Sequence, residues 1–163
     1  MNKNGWLAVL LMTFGALLLA GPPGALAAPG GPCSLLTAAQ VSAVLGVSVG
    51  EGQPRLSTLC EWSEPGKSAP GSKKVTLTLQ NPQAIAYAKT PVPGGGITKT
   101  PVSGVGDEAI FGTTANIAAV LTVKKGDVVF VVRVYGFPID SGKPLEAVQA
   151  KEKTLALEIV SKL

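Results

Sequence analysis

The sequence predicts an α+β domain, an antiparallel sheet of about five strands with an N-terminal short helix and a C-terminal amphipathic helix packed on it. Three patterns predict it. Residues 74–80 alternate, with Val75, Leu77 and Leu79 against Thr76 and Thr78, the period of a half-buried strand. Residues 128–135 are almost continuously apolar, as in a central strand covered on both faces. Leu145, Val148, Leu155, Ile159 and Leu163 recur at helical spacing behind Pro144, a residue suited to a helix's first turn. Strands joined by hairpins and flanked by helices make an α+β domain with the helices on one side.

The first helix is marked at both ends. Thr37 and Gln40 form a capping box, and Leu36 with Val41 stands at the positions of a hydrophobic staple. Val41, Val44 and Leu45 make its apolar face, and Gly46 ends it. Residues 56–63 read as one strand with Thr58, Cys60 and Trp62 on one side. Pro65-Gly66 and Pro70-Gly71 make a loop before the strand at 74–80, its hairpin partner. A short helix over 84–89 follows. Residues 90–104 hold Gly94-Gly95-Gly96 and three prolines, so no packed element is expected there. Three strands are expected over 108–112, 117–123 and 127–135, the last two joined by a turn at 124–127.

The N-terminus reads as a signal peptide over residues 1–27. Lys3 supplies the cation, residues 6–20 are apolar but for Thr13, and Gly21-Pro22-Pro23-Gly24 breaks any helix. Ala25-Leu26-Ala27 places small residues where a signal peptidase needs them, so the cut is expected after Ala27. A spanning helix needs about 20 apolar residues, more than this run holds. Gly30, Gly31 and Pro32 precede Cys33 without the branched or leucine side chain that lipidation asks for. The exported product is a single domain over 28–163, with 28–32 a flexible tether and no membrane span after cleavage. It is expected in the periplasm or outside the cell. Cys33 and Cys60 are the only cysteines. In an oxidising compartment such a pair reads as a disulfide.

Composition excludes several chemistries. The chain has no histidine, so Ser-His-Asp and Cys-His units and histidine-ligated metal are out. No metal and no cofactor are expected. Without Lys3 there are 13 basic and 10 acidic residues, scattered, with Lys73-Lys74 and Lys124-Lys125 the only basic pairs. A nucleic-acid surface wants a clustered basic stripe with aromatics beside it, so no nucleic acid is expected as a partner. Weak attraction to anionic envelope polymers is compatible with the balance.

The order of short motifs resembles a group of small disulfide-bonded bacterial envelope proteins and lipoproteins classed as domains of unknown function. Cys33-Ser34-Leu35-Leu36-Thr37 leads into a helix ending at Leu45-Gly46, and a Cys60-Glu61-Trp62 strand follows. Gly104-Val105-Gly106-Asp107-Glu108-Ala109 and Val123-Lys124-Lys125-Gly126-Asp127-Val128-Val129 come later, before the closing helix. The resemblance implies a disulfide-stapled domain outside the cytoplasm and no defined reaction. Many such relatives carry a lipid anchor, and the lipidation signal they use is missing here.

Candidate site residues are few. Asp107-Glu108 is the acidic candidate for acid–base work or calcium. Gly104, Gly106 and Asp107 equally make a structural turn, with Asp107 accepting backbone amides. Ser72-Lys73 and Ser161-Lys162 lack the spacing of a nucleophile motif. Tyr135 and Phe137 are the candidate ligand-facing aromatics, flanking a groove if both reach the surface. The expected function is a non-catalytic binding or interaction module of the cell envelope, for an envelope protein or small ligand. The alternatives are a carboxylate-dependent envelope hydrolase or lyase, or an inhibitor of an exported enzyme with residues 90–104 as its probe.

Overall fold

The computed structural model describes residues 30–67, 71–114, 118–137 and 144–163. The signal peptide, its cleavage point, residues 28–29 of the tether and Ile117 lie outside these. Seven antiparallel strands form one sheet in the order β1-β2-β3-β7-β6-β5-β4. They are β1 (Gln53–Leu56), β2 (Leu59–Ser63), β3 (Lys74–Gln80), β4 (Ile97–Pro101), β5 (Glu108–Thr114), β6 (Ala118–Lys125) and β7 (Val128–Tyr135). Three α-helices accompany them: α1 (Ala38–Leu45), α2 (Ala84–Lys89) and α3 (Pro144–Val160).

The fold is therefore mostly β, which corrects the expected α+β sheet of about five strands. Two strands were missed, each for a physical reason. Residues 56–63 split into β1 and β2 at a tight turn, and every residue of β1 is exposed, so no apolar alternation marks it. The stretch at 90–104 contains β4, an edge strand with Ile97 and Lys99 half-buried and the rest exposed. Pro101 is tolerated there because an edge residue need not donate on its outer side. The helices do not share one side. α1 and α3 cover the inner face. α2 lies on the outer face, where Ile85 packs with Ile110 and Val129.

The inner face holds the core. Trp62, Leu77, Leu121, Phe130 and Val132 are sealed beneath Val41 and Leu45 of α1 and Leu155 and Ile159 of α3. The capping box at α1 is present: Gln40 N donates to Thr37 Oγ1 at 3.2 Å, and Thr37 N donates to Gln40 Oε1 at 3.0 Å. Gly46, at φ 69°, closes the helix in the left-handed region that favours glycine. Cations then satisfy the carbonyls that α1 leaves open. Lys151 donates to Val44 O and Lys73 donates to Leu45 O, so the helix dipole meets positive charge at its C-terminus.

Cys33 and Cys60 are joined in a disulfide with Cα atoms 5.2 Å apart. It ties the turn ahead of α1 to β2, beside the buried Trp62. Gly52 lies against this corner, and a Cβ there would stand 2.7 Å from Cys60 Sγ and from the Trp62 ring.

Glu152 is fully buried on α3, between Val148 and Leu155. Its Oε1 accepts the Val134 N–H at 3.1 Å, and its Oε2 has no hydrogen-bond partner among the described residues. The β6–β7 ladder ends at Leu121↔Val132, two residues short of Val134, so the carboxyl takes that amide in place of a strand. Burial pushes Glu152 up to about 8, against the opposing pull of the Val134 amide and the Arg133 charge.

Two stability predictions follow from this core. Cys60→Ser should lower stability by roughly 2–4 kcal/mol in denaturant melts; an unchanged midpoint would contradict the staple. For Glu152, the folded protein keeps a proton that the unfolded chain releases above its ordinary 4.5. Stability from this group is thus full below that value and is lost as pH rises to about 8, at about 1.4 kcal/mol per pH unit. Glu152→Gln should remove that slope, matching the parent in acid and exceeding it at neutral pH. Urea melts across the range check this, and parallel stability curves for the two proteins would refute it.

Candidate functional site

Among the described residues, α2 is the helix that crosses the outer face of the sheet. Strand alternation puts one row of side chains there from nearly every strand. Register aligns them: Glu61 opposes Thr76, Thr76 opposes Arg133, and at the far edge Gly112 opposes both Val120 and Lys99. Val120 and Arg133 are each one step beyond the last paired residues of β6 and β7, Leu121 and Val132. One row therefore crosses the sheet from Glu61 to Lys99.

A groove of about 410 Å³ lies between α2 and this face. Val131 and Arg133 of β7, Val120 and Thr122 of β6, and Gly112 and Thr114 of β5 form its floor. Ala84, Tyr87 and Ala88 of α2 form one wall, and Ile97 and Lys99 of β4 close the far end. Gly112 has no side chain to fill the floor, so the Lys99 chain lies across it, with Nζ 3.5 Å from where a Cβ would stand. A second hollow of about 330 Å³ shares Lys99 and adds Lys89, Pro101, Glu108 and Ile110.

Charge gathers on this face. Arg55, Lys74, Lys89, Lys99, Lys124 and Arg133 stand there against Glu61 and Glu108. Glu61 is bound by Arg55 at 2.7 Å and Lys74 at 3.4 Å. The Arg55 guanidinium foremost, and then Lys74, hold its carboxyl below the usual glutamate range. Glu108 pairs with Lys89. Lys99 and Arg133 make no ion pair or hydrogen bond with other described residues, and both line the groove. Lysines and arginines scattered along the chain are thus collected onto one surface by the pairing of strands.

The acidic candidates do not converge. Asp107 reaches across to the β6–β7 turn. Its Oδ2 accepts the Gly126 N–H at 2.7 Å, and its Oδ1 meets Lys125 at 3.1 Å. The Gly126 amide first, and Lys125 next, hold its carboxyl below the usual aspartate range. The sequence reading had Asp107 capping its own turn; the amide it binds lies 19 residues further on. Gly104 and Gly106 take φ 74° and 60°, and a Cβ on Gly106 would stand 2.4 Å from Lys124 O. The turn thus clamps the β6–β7 hairpin, while Glu108 lies in the other hollow with Lys89.

Tyr135 and Phe137 do come together, along a small pocket of about 150 Å³ with Val134, Leu145 and Val148. Their roles differ. Phe137 is half-buried between Lys73 and Lys151, whose Nζ atoms lie 5.0 and 5.1 Å from its ring centre. It supports the two cations that close α1. Tyr135 points outward beneath Lys74, whose Nζ lies 5.0 Å from its ring. The serine–lysine pairs are also engaged structurally: Lys73 donates to Leu45 O, Lys162 to Leu35 O, and Ser161 Oγ to Glu158 O.

Sequence reasoning missed Arg133, Lys99 and Tyr87. Arg133 carried a signal, as the one charge inside the apolar run of β7. Lys99 was hidden in a stretch read as loop. No family model, curated protein or solved structure matches the chain.

The Asp107 clamp makes a prediction. Asp107→Asn keeps an oxygen that accepts the Gly126 amide and should melt close to the parent, whereas Asp107→Ala loses the bond and should melt lower. Thermal melts compare the two. Equal melting of both variants and the parent would dismiss the clamp.

Proposed function

We propose that this chain is an exported, non-catalytic binding module of the cell envelope, and that the groove between α2 and the outer sheet face is its binding surface. The observation that carries the reading is a concave hollow in which two cations, Lys99 and Arg133, stand without partners among the described residues. Ligand sites are usually concave, with an apolar lining and a few placed polar groups. Here Val120, Val131, Ile97 and Ala88 supply the apolar part. The separate engagements of Asp107 and Glu108 weigh against the carboxylate hydrolase or lyase. Against the inhibitor reading, residues 97–101 of its proposed probe are held in the sheet as edge strand β4.

Export rests on the signal pattern of residues 1–27, with the Cys33–Cys60 disulfide in support. No helix among the described residues is long and apolar enough to cross a membrane. The periplasm or the extracellular space is the compartment proposed. Intact mass of secreted material should correspond to a chain starting at Ala28. A retained leader, or a diacylglycerol increment on Cys33, would refute that start.

Calorimetric titration of the mature chain against envelope polysaccharides and peptides tests the binding reading. Saturable binding without chemical change of the titrant is expected. Ala88→Trp, which fills the groove from the α2 side, should abolish it without lowering the melting temperature. Turnover of a polysaccharide that is lost in both Asp107→Asn and Glu108→Gln would replace the binder with the hydrolase or lyase.

A further inference from the structure

Resting on the outer groove as the binding surface, we propose that its occupant is a linear acidic polysaccharide, a chain of uronic-acid sugars whose carboxylates meet Arg133 and Lys99.

The charge pattern comes first. The two cations stand on the same cross-strand row, three strand spacings apart at roughly 4.8 Å each. The Lys99 ammonium lies inward over Gly112, which shortens that gap. Two separated cations fit a ligand with anionic groups repeated along its length, lying across the strands beneath α2. Arg133 presents a planar fork that suits a carboxylate, and Lys99 a point charge.

The surface between the cations selects the rest of the ligand. Thr114 and Thr122 place hydroxyl groups on the groove floor, and Gln80 places an amide at its margin. Such groups match a polyhydroxylated chain. Tyr87 rises from α2 beside the groove and is 74% exposed. It offers an aromatic face to the C–H face of a pyranose and a hydroxyl to its rim. A polyphosphate ester would not use that ring. An extended peptide would find backbone partners at a sheet edge rather than on a sheet face.

The test is titration of the ¹⁵N-labelled mature chain with tetragalacturonate, its methyl ester and poly(glycerol phosphate), followed by amide NMR shifts. Tetragalacturonate should move the amides of Tyr87, Gly112 and Arg133, and the neutral ester should not. Arg133→Gln and Lys99→Gln should each weaken binding roughly tenfold, the scale of a lost charge-assisted bond. Tyr87→Ala should weaken it while leaving the response to salt unchanged, and binding should fall as salt rises. Equal binding of the ester, or tighter binding of the phosphate polymer with the same amides moving, would overturn the uronate assignment and leave the groove as the binding surface. Shifts confined to residues outside the groove would overturn both.

Discussion

The antiparallel pairing of β3 with β7 is the joint on which the molecule depends. It runs over seven residue pairs, from Lys74↔Tyr135 to Gln80↔Val129, and fuses the β1–β3 meander to the β4–β7 meander. β3 ends in the middle of the sheet and β4 begins at its far edge, so the connecting chain must pass over β7, β6 and β5. It passes on the outer face, because α1 and α3 occupy the inner one. α2 is the result, and the groove beneath it follows from where that connection has to travel. The same pairing sets the row that carries Thr76, Arg133 and, through β6 and β5, Lys99.

The two faces of the sheet solve opposite electrostatic problems. On the inner face every polar group needs a local partner, and the partners come from distant parts of the chain. Lys73 and Lys151 satisfy the end of α1, with Phe137 between them. Gln40 of α1 donates to Glu158 of α3 at 2.6 Å, and Lys162 returns to Leu35 O. Among the described residues Trp62 Nε1 is buried without a partner, and so is one oxygen of Glu152, a carboxyl in the core. Its burial costs free energy at neutral pH that an apolar or amide side chain would not. What it contributes in return is a partner for the Val134 amide where β6 turns away. On the outer face the cations stay at the surface: Arg55, Lys74 and Lys89 are paired, and Lys99, Lys124 and Arg133 have no ion pair among the described residues.

The legibility of the fold follows the strength of each local signal. α1 could be read from Thr37, Gln40 and Gly46 because caps are chemistry between near neighbours in the chain. β3 and β7 could be read from their apolar periods because both are internal strands. β1 and β4 could not, because an edge strand buries little and keeps no alternation to see. Glu152 left a trace that was passed over: it occupies the core stripe of α3 between Val148 and Leu155, where a charge has no place on a solvent face. The Asp107 turn was legible from Gly104 and Gly106, but its partner was not, since Gly126 is 19 residues away.

The amino-acid sequence by itself determined the pairing of two cysteines, the ends of α1, the turn between β6 and β7, the central apolar strand and the absence of histidine chemistry. All of these are set by residue identity or by neighbours within a few positions. Tertiary structure alone decided the number of strands, the side of the sheet on which α2 lies, and the gathering of Arg55, Lys74, Lys99, Lys124 and Arg133 onto one face. Those outcomes depend on strand order and cross-strand register, which are contacts between residues far apart in the chain. A one-residue slip in any pairing would send a cation to the opposite face. The charges were visible from the start, and only the register says that they share a surface.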